Sequence, residues 1–592
     1  MTSSALPERD KVQEGGIGGG VGGFAAWVNA RGGQRAWLAA VLIALLALLV
    51  VPPLLVLIQG SLTETARDGT AHLSLRNFSD MVGDKEFVAS TINSLIFAAG
   101  SMTIALLIGW INAWIVERTD APLRGLAYLT AIVSLGTPYV LFVTAWLLLL
   151  GKAGPVNQVL RDLTGTHDLF VNIYSMTGMI FVEGIIWSPM AFLLVAATLR
   201  NANPEFEEAA RMSGATGGQV FRRITLRLSA PAIAALAMLI FVRTLESFEV
   251  PALVGLPGRV YVLTTDIYSR VFAVAPPNLG GASAFSILLL GVVFVLLYYY
   301  GRLSSRAERF GTITGKSFRP RPFDLGRWRG VAAAVIVFNA FLLLVVPMAM
   351  LLWTALLPFY QPFSLRALKF LTVANFGTVL SSDHFDLAIN TLIVSVVAAT
   401  VVMILTMFGS WLSVRRQAGG WIIERLSTVP LVFPGIVLGV AVMQIFLRLP
   451  IPLYGTVWIL VFAFVINYLP YGMRYSASSM IQIHRELEET ASVCGATPLT
   501  TMRRIVVPLL APGLIAGWLF IFLMSARALS LAILLAGPRS QTMAVAMFDL
   551  WSNGQSTELA ALGLLWSAAM ACVAIAFYAL ARRANVGIFS QG

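Results

Sequence analysis

Apolar residues run along this chain in stretches long enough to cross a lipid bilayer, and the polar positions gather between them. A membrane-spanning helix needs about 20 mostly apolar residues. Twelve segments meet that requirement: about 36–58, 92–116, 126–150, 178–199, 231–253, 282–301, 331–357, 389–413, 426–448, 455–478, 511–535 and 560–581. The first is too long for the apolar core of a signal peptide. It ends in Val51-Pro52-Pro53 and Gln59-Gly60-Ser61 without a small-residue cleavage site, so it is read as an anchor. Residues 1–35 contain Gly15-Gly16-Ile17-Gly18-Gly19-Gly20 and almost no apolar periodicity, which predicts a disordered, Gly-rich cytoplasmic tail.

Composition narrows the function classes. Of 592 residues, 58% are apolar and 12% charged, with mean hydropathy +0.80; soluble proteins run at roughly 45–50% and about 25%. A soluble enzyme, a nucleic-acid-binding module and a secreted disulfide scaffold are excluded. Cys494 and Cys572 are too few and too far apart for a cysteine metal site. The net charge of +12 is a statement about topology. With the N-terminus inside, 28 of the 41 Lys and Arg fall in inside loops and 11 in outside loops, while Arg243 and Arg527 lie within the bilayer. The positive-inside rule then puts both termini in the cytoplasm.

The chain is written twice. Glu208-Ala209-Ala210-Arg211-Met212-Ser213-Gly214-Ala215-Thr216 has a counterpart, 281 positions later, in Glu489-Thr490-Ala491-Ser492-Val493-Cys494-Gly495-Ala496-Thr497. The same offset carries Arg222-Arg223-Ile224 onto Arg503-Arg504-Ile505, Ala230-Pro231 onto Ala511-Pro512 and Trp187-Ser188-Pro189 onto Tyr468-Leu469-Pro470. Upstream, Asn93-Ser94-Leu95-Ile96 matches Asn390-Thr391-Leu392-Ile393 at an offset of 297, the difference falling in the long outside loop 151–177. Two six-helix units, 36–301 and 331–592, are joined by a basic inside linker, 302–330. Six is even, so the units share one orientation as parallel repeats, with a substrate path between them.

The repeated loop reads as a short helix with its own start and stop. Asn203 suits the N-cap and Pro204 the first helical position, and Glu205, Glu207 and Glu208 complement the positive helix end. Gly214 is placed to end it in a left-handed turn. Thr216 and Thr497 can cap a following helix, the latter with Pro498 behind it. Phe206, Ala209, Ala210 and Ser213 share one helical face, as do Leu487, Thr490, Ala491 and Cys494 in the second copy. A short helix with small residues on one face, projecting into the cytoplasm, is shaped to dock into a partner's groove. A plain re-entry loop is the rival reading, and two copies at matched positions weigh against it.

These residues resemble the coupling-loop motif of ABC importer permeases: Glu-Ala-Ala, three residues, Gly, nine residues, then Ile-x-Leu-Pro. The first copy supplies Glu208-Ala209-Ala210, Gly214 and Ile224-Thr225-Leu226, with Arg227 where the family has Pro. The second supplies Glu489-Thr490-Ala491, Gly495 and Ile505-Val506-Val507-Pro508, departing at Thr490 and Val507. The resemblance spans about 36–592. It implies an all-α integral membrane protein of about twelve helices with the type I importer permease fold, in the bacterial inner membrane. It also implies a periplasmic substrate-binding protein and two copies of a cytoplasmic ATPase as partners, one on each coupling helix. The residues carrying that coupling would be Glu208, Ala209, Ala210, Gly214, Glu489, Ala491 and Gly495. Arg227, replacing a helix-start proline, predicts a different start for the helix that follows. Within the superfamily, Glu246-Ser247-Phe248-Glu249-Val250-Pro251-Ala252-Leu253-Val254-Gly255 and Leu529-Ser530-Leu531-Ala532-Ile533-Leu534-Leu535-Ala536-Gly537-Pro538 look like the ferric-iron permeases. Related permeases move thiamine, phosphonates or polyamines, so those substrates stay open.

Gly311-Thr312-Ile313-Thr314-Gly315-Lys316-Ser317 imitates a phosphate loop but has three residues between its glycines where four are required. The chain is therefore expected to be no enzyme and to bind no cofactor, with ATP hydrolysis supplied by the partner. Ionisable groups inside a bilayer are costly and by default functional. Arg243, Glu246 and Glu249 fall in the fifth span, Arg243 about 18 Å and Glu246 about 22 Å from Pro231 at about 1.5 Å per residue. The repeat offset sets Arg527 opposite Glu246, which predicts an ion pair at a gate between the halves; satisfaction of each charge within its own half is the alternative. Glu249, and Glu183 in the fourth span, read either as contacts for a passing hard cation or as structural hydrogen-bonding groups. No resident metal site is assigned. Pro138, Pro189, Pro434 and Pro470 predict kinks along the path. Two rivals remain: a twelve-helix ion-coupled secondary transporter, which leaves the duplicated loop unexplained, and a membrane enzyme, for which His72, His167, His384 and His484 are too scattered.

Overall fold

The computed structural model describes residues 33–65, 71–166, 168–201, 205–309, 323–381 and 384–583. Residues 1–32 of the predicted tail 1–35, Asn203-Pro204 and the phosphate-loop imitation at 311–317 lie outside the described residues. With no water in the bilayer core, backbone amides must be satisfied within the segment, and helices do this unaided. In chain order the first half contains α1 (Gly33–Ser61), α2 (Lys85–Arg118), α3 (Arg124–Gly136), α4 (Tyr139–Leu150), α5 (Met176–Asn201), α6 (Glu205–Met212), α7 (Leu226–Leu245), α8 (Leu263–Phe272) and α9 (Leu279–Arg309). The second half contains α10 (Arg329–Ala340), α11 (Val346–Ala355), α12 (His384–Val414), α13 (Gly420–Thr428), α14 (Gly435–Arg448), α15 (Val457–Ile481), α16 (Glu486–Val493), α17 (Val507–Ala526), α18 (Met543–Ser552) and α19 (Ser556–Arg583). Among the described residues, 11 helices are long and apolar enough to cross a membrane, and a bent pair raises the number to 12. Among the described residues the strands amount to one antiparallel pair, Thr63–Thr65 with Ala71–Leu73.

Two predicted spans in each half are broken, at equivalent places. The span expected over 126–150 divides at Thr137-Pro138, where Thr137 is extended at φ −75° and ψ 132°. Its counterpart over 426–448 divides at Phe433-Pro434 and turns by 106°. Proline lacks an N–H and pushes the residue before it out of the helical region, which accounts for both breaks. The span expected over 231–253 stops at Leu245 and continues as a short π-type turn, Pro251–Gly255. The span expected over 511–535 stops at Ala526, 281 residues later, and resumes at Ala532–Leu535. Pro189 and Pro470, by contrast, sit inside continuous helices.

Each half lends its first span to the other. The α1 helix packs on α13 and α14, and α11 packs on α4. Helices enter the predicted linker 302–330 from both sides, since α9 continues to Arg309 and α10 begins at Arg329. Its described end is tied to the first half: the Phe323 N–H donates to the Arg118 carbonyl at 2.8 Å, and the Leu325 N–H donates to Asp120 Oδ1 at 3.0 Å. Arg329 closes the corner with an ion pair to Asp120. That pairing, with the Leu325 bond, holds the Asp120 carboxyl well below its ordinary value, at about 2.

Candidate functional site

The duplicated loop folds as its residues require. The α6 and α16 helices stop at Gly214 and Gly495, both with φ +83°, the left-handed conformation that glycine adopts at no steric cost. In each copy the residue after that glycine donates back into the last turn, Ala215 to the Ala210 carbonyl and Ala496 to the Ala491 carbonyl, both at 3.0 Å. These bonds close the helix ends and satisfy carbonyls the helix leaves over. Thr497 Oγ1 accepts from the Thr500 N–H and so caps the next short helix; at the first copy the Thr216 N–H donates to Gln219 Oε1 at 3.0 Å. The spans then begin at Leu226 and Val507, each after a π-type turn and 281 residues apart. Arg227 therefore leaves the start of its helix unchanged, contrary to expectation.

On α16, Leu487, Glu489, Thr490 and Val493 are exposed, and so is Cys494 just beyond it. Ala491, at 8% exposure, faces the membrane helices instead, so the predicted common face splits. Ala210 is likewise half-buried while Phe206, Ala209 and Ser213 are exposed. The side chain of Glu208 lies outside the described residues. Glu489 pairs with Arg485 at 2.9 Å on the open surface.

The broken spans meet where the halves meet, and the intramembrane charges collect there. Arg243 is in the last turn of α7, Glu246 caps that helix, and Glu249 lies beyond it in the break. The predicted Glu246–Arg527 pair is not formed. Glu246 Oε2 accepts from Arg243 Nη1 at 2.8 Å, one turn away on its own half, while Glu246 Oε1 is buried without a hydrogen-bond partner. Arg527 crosses the junction: it donates to the Leu135 carbonyl in the last turn of α3 and lies 4.7 Å above the Tyr139 ring. Leu135 owes its unused carbonyl to the helix break at Pro138. Arg243 lies 5.9 Å over Tyr471 of the second half. The Glu249 carboxylate faces the backbone of Ser530, and Glu183, 2% exposed, accepts from Trp187 Nε1 at 2.9 Å. The arrangement is a junction between two discontinuous helices from each half, with two arginines and three glutamates gathered at it.

At the end opposite α6 and α16, the duplicated Asn93-Ser94 and Asn390-Thr391 pairs have a role that was missed in the sequence. The Leu263 N–H at the start of α8 donates to Ser94 Oγ at 2.8 Å, and the Met543 N–H at the start of α18 donates to Thr391 Oγ1 at 2.8 Å. Asn93 Nδ2 donates to the Tyr261 carbonyl, and Asn390 Nδ2 to the carbonyls of Arg539 and Gln541. The repeated Asn-Ser and Asn-Thr pairs are thus caps that hold two ten-residue helices. Those helices are too short to read as spans, and polar side chains at fixed places in an apolar stretch were the available signal.

Two parallel six-helix repeats with discontinuous helices meeting at their junction define a membrane permease. The profile of the binding-protein-dependent transport system inner membrane component family matches residues 105–309 and again 405–586, and the chain belongs to that family. It is 25% identical over 502 residues to the ferric transport system permease protein FbpB of Actinobacillus pleuropneumoniae, covering 83% of this chain and 71% of that one. It is 25% identical over 530 residues to the probable ABC transporter permease protein y4fN of Sinorhizobium fredii, covering 86% and 90%. The putrescine transport system permease protein PotI of Escherichia coli is 29% identical over 218 residues, covering 35% of this chain and 76% of PotI. The chain is a multi-pass inner-membrane permease of an ABC importer, and neither the secondary transporter nor the membrane enzyme gains support.

Proposed function

We propose that this permease carries ferric iron from a periplasmic binding protein to the cytoplasm, with one ATPase subunit docked on α6 and a second on α16. The duplicated, glycine-terminated helix with an exposed outer face carries the proposal, since two equal docking elements call for two equal partners. Glu208, Ala209, Ala210 and Gly214, with Glu489, Ala491 and Gly495, form the coupling elements. Both termini lie in the cytoplasm, following the distribution of Lys and Arg, and α8 and α18 face the binding protein. The units 36–301 and 331–592 act as the two rocking halves, joined by the linker 302–330 behind the tail 1–35. Arg243, Glu246, Glu249 and Arg527 line the junction that opens between them. Iron is favoured over other substrates by the ferric permeases among the relatives that cover most of the chain. The test is to capture the cognate binding protein on the solubilised permease and analyse its ligand. Ferric iron is expected, and putrescine, a phosphonate or thiamine would overturn the substrate.

A further inference from the structure

The α16 helix does not rest on the membrane helices through Ala491 alone. Glu488 turns away from the exposed Leu487 and Thr490 and is 7% exposed. Its Oε2 accepts from Trp411 Nε1 at 2.9 Å, and its Oε1 accepts from Arg415 Nε at 2.7 Å. Arg415 also donates through Nη2 to the Ile483 carbonyl at 2.9 Å, just before α16 begins. Trp411 is 3% exposed, and the Arg415–Glu488 pair has both side chains at 10% exposure or less. Both donors sit at the cytoplasm-facing end of α12, one helical turn apart. The other end of the same helix carries Thr391, which caps α18. One uninterrupted helix therefore joins α16 to α18, over about 36 Å at about 1.5 Å per residue.

The sequence repeats the set. Trp114 and Arg118 stand 297 positions before Trp411 and Arg415, the offset that also relates Ser94 to Thr391. Glu207 stands 281 positions before Glu488, the offset of the loops. Arg118 is 6% exposed at the end of α2, whose other end carries Ser94 against α8. The Glu207 side chain lies outside the described residues, so the first copy is argued from register alone.

We propose that Glu488, Arg415 and Trp411 are positioning residues that form a strut, passing movement of α16 along α12 to α18. By register, Glu207, Arg118 and Trp114 do the same for α6, α2 and α8. An apolar contact lets a short helix slide. Two charge-assisted bonds to one buried carboxylate fix both distance and direction, and rigid helices joined by such networks are what carries coupling between distant sites. The inference rests on α16 being the docking helix for the ATPase.

The test uses the full transporter, with its ATPase and binding protein, in proteoliposomes. It measures ATPase content, hydrolysis and uptake for each variant. Glu488→Gln keeps the shape of the side chain but sets an amide N–H against the donors of Arg415. Uptake per ATP is expected to fall at least tenfold while ATPase copurifies at the wild-type ratio. Adding Arg415→Gln removes both charges, permits an amide–amide bond and is expected to restore part of the ratio. Trp411→Phe removes a single bond and serves where Glu488→Gln fails to assemble, with a threefold fall expected. A purely structural role would lower the yield of assembled transporter at unchanged uptake per ATP, which would overturn the strut. Loss of ATPase binding in Glu488→Gln would overturn it too, by making Glu488 a docking residue. If the wild-type chain itself takes up no ATPase, the failure belongs to the docking proposal and not to the strut.

Discussion

Gly495 offers the sharpest perturbation of the coupling loops. Its φ of +83° is a conformation that L side chains rarely adopt, and a Cβ built there meets nothing within 4 Å. Gly214 has the same angle and the same open surroundings. Any effect of substitution is therefore backbone strain, free of steric clash. Holding an L-residue in the left-handed region costs roughly 1–2 kcal/mol. A free energy of that size changes a two-state population by roughly five- to thirtyfold. Asn tolerates the region better than Ala, and β-branched residues tolerate it worst. Uptake per ATP in proteoliposomes is thus predicted to rank Gly, then Asn, then Ala, then Val at position 495, with Val lowest by at least tenfold. Thermal unfolding of the membrane part should fall by no more than this strain of about 1–2 kcal/mol accounts for, since nothing packs against the site. Wild-type uptake for Gly495→Val, or an Asn variant no better than Ala, would refute the reasoning.

Three further outcomes follow from particular contacts. The double exchange Glu246→Arg with Arg527→Glu should not restore transport lost in either single variant, because Glu246 pairs with Arg243 and Arg527 bonds to Leu135; recovery above half of wild-type uptake would contradict that geometry. Removing the caps in Ser94→Ala and Thr391→Ala should destabilise α8 and α18 by about 1 kcal/mol each, raising the binding-protein concentration needed for half-maximal uptake, while an unchanged value would deny these helices a part in delivery. Asp120 has a depressed pKa in the folded chain, so its contribution is present above its ordinary value of 3.8 and is lost as pH falls through about 2. Exchange of the Leu325 amide, relative to a buried control amide, should rise across that window in the native chain and be pH-independent in Asp120→Asn.

The spans, their number and the duplication were legible because lipid imposes a length and a composition that a sequence cannot conceal. The left-handed glycines were legible for a local reason: helix stop, glycine and a following cap fall within nine residues of each copy. Which prolines break a helix was not. Pro138 and Pro434 do, Pro189 and Pro470 do not, and the residue type alone does not distinguish them. The charges show the same boundary. The repeat offset suggested a pair across the pseudo-twofold axis, yet Arg243 sits one turn from Glu246 and reaches it without any tertiary rearrangement. Arg527 then finds a carbonyl exposed by a break in another helix, a partner with no sequence signature. Periodicity also grouped Ala491 with Leu487 and Thr490, although a residue at the margin of a helical face can turn either way.

The central claim is that two ATPase subunits, docked on the cytoplasmic helices α6 and α16, drive iron through the junction between the halves. Its most direct test is uptake of radioactive ferric iron into proteoliposomes holding the permease and its ATPase, with loaded binding protein outside and ATP within. Uptake that requires all three proteins and ATP, at two ATPase subunits per permease chain, is the predicted result. Uptake by the permease alone, driven by an ion gradient and indifferent to ATP, would contradict it.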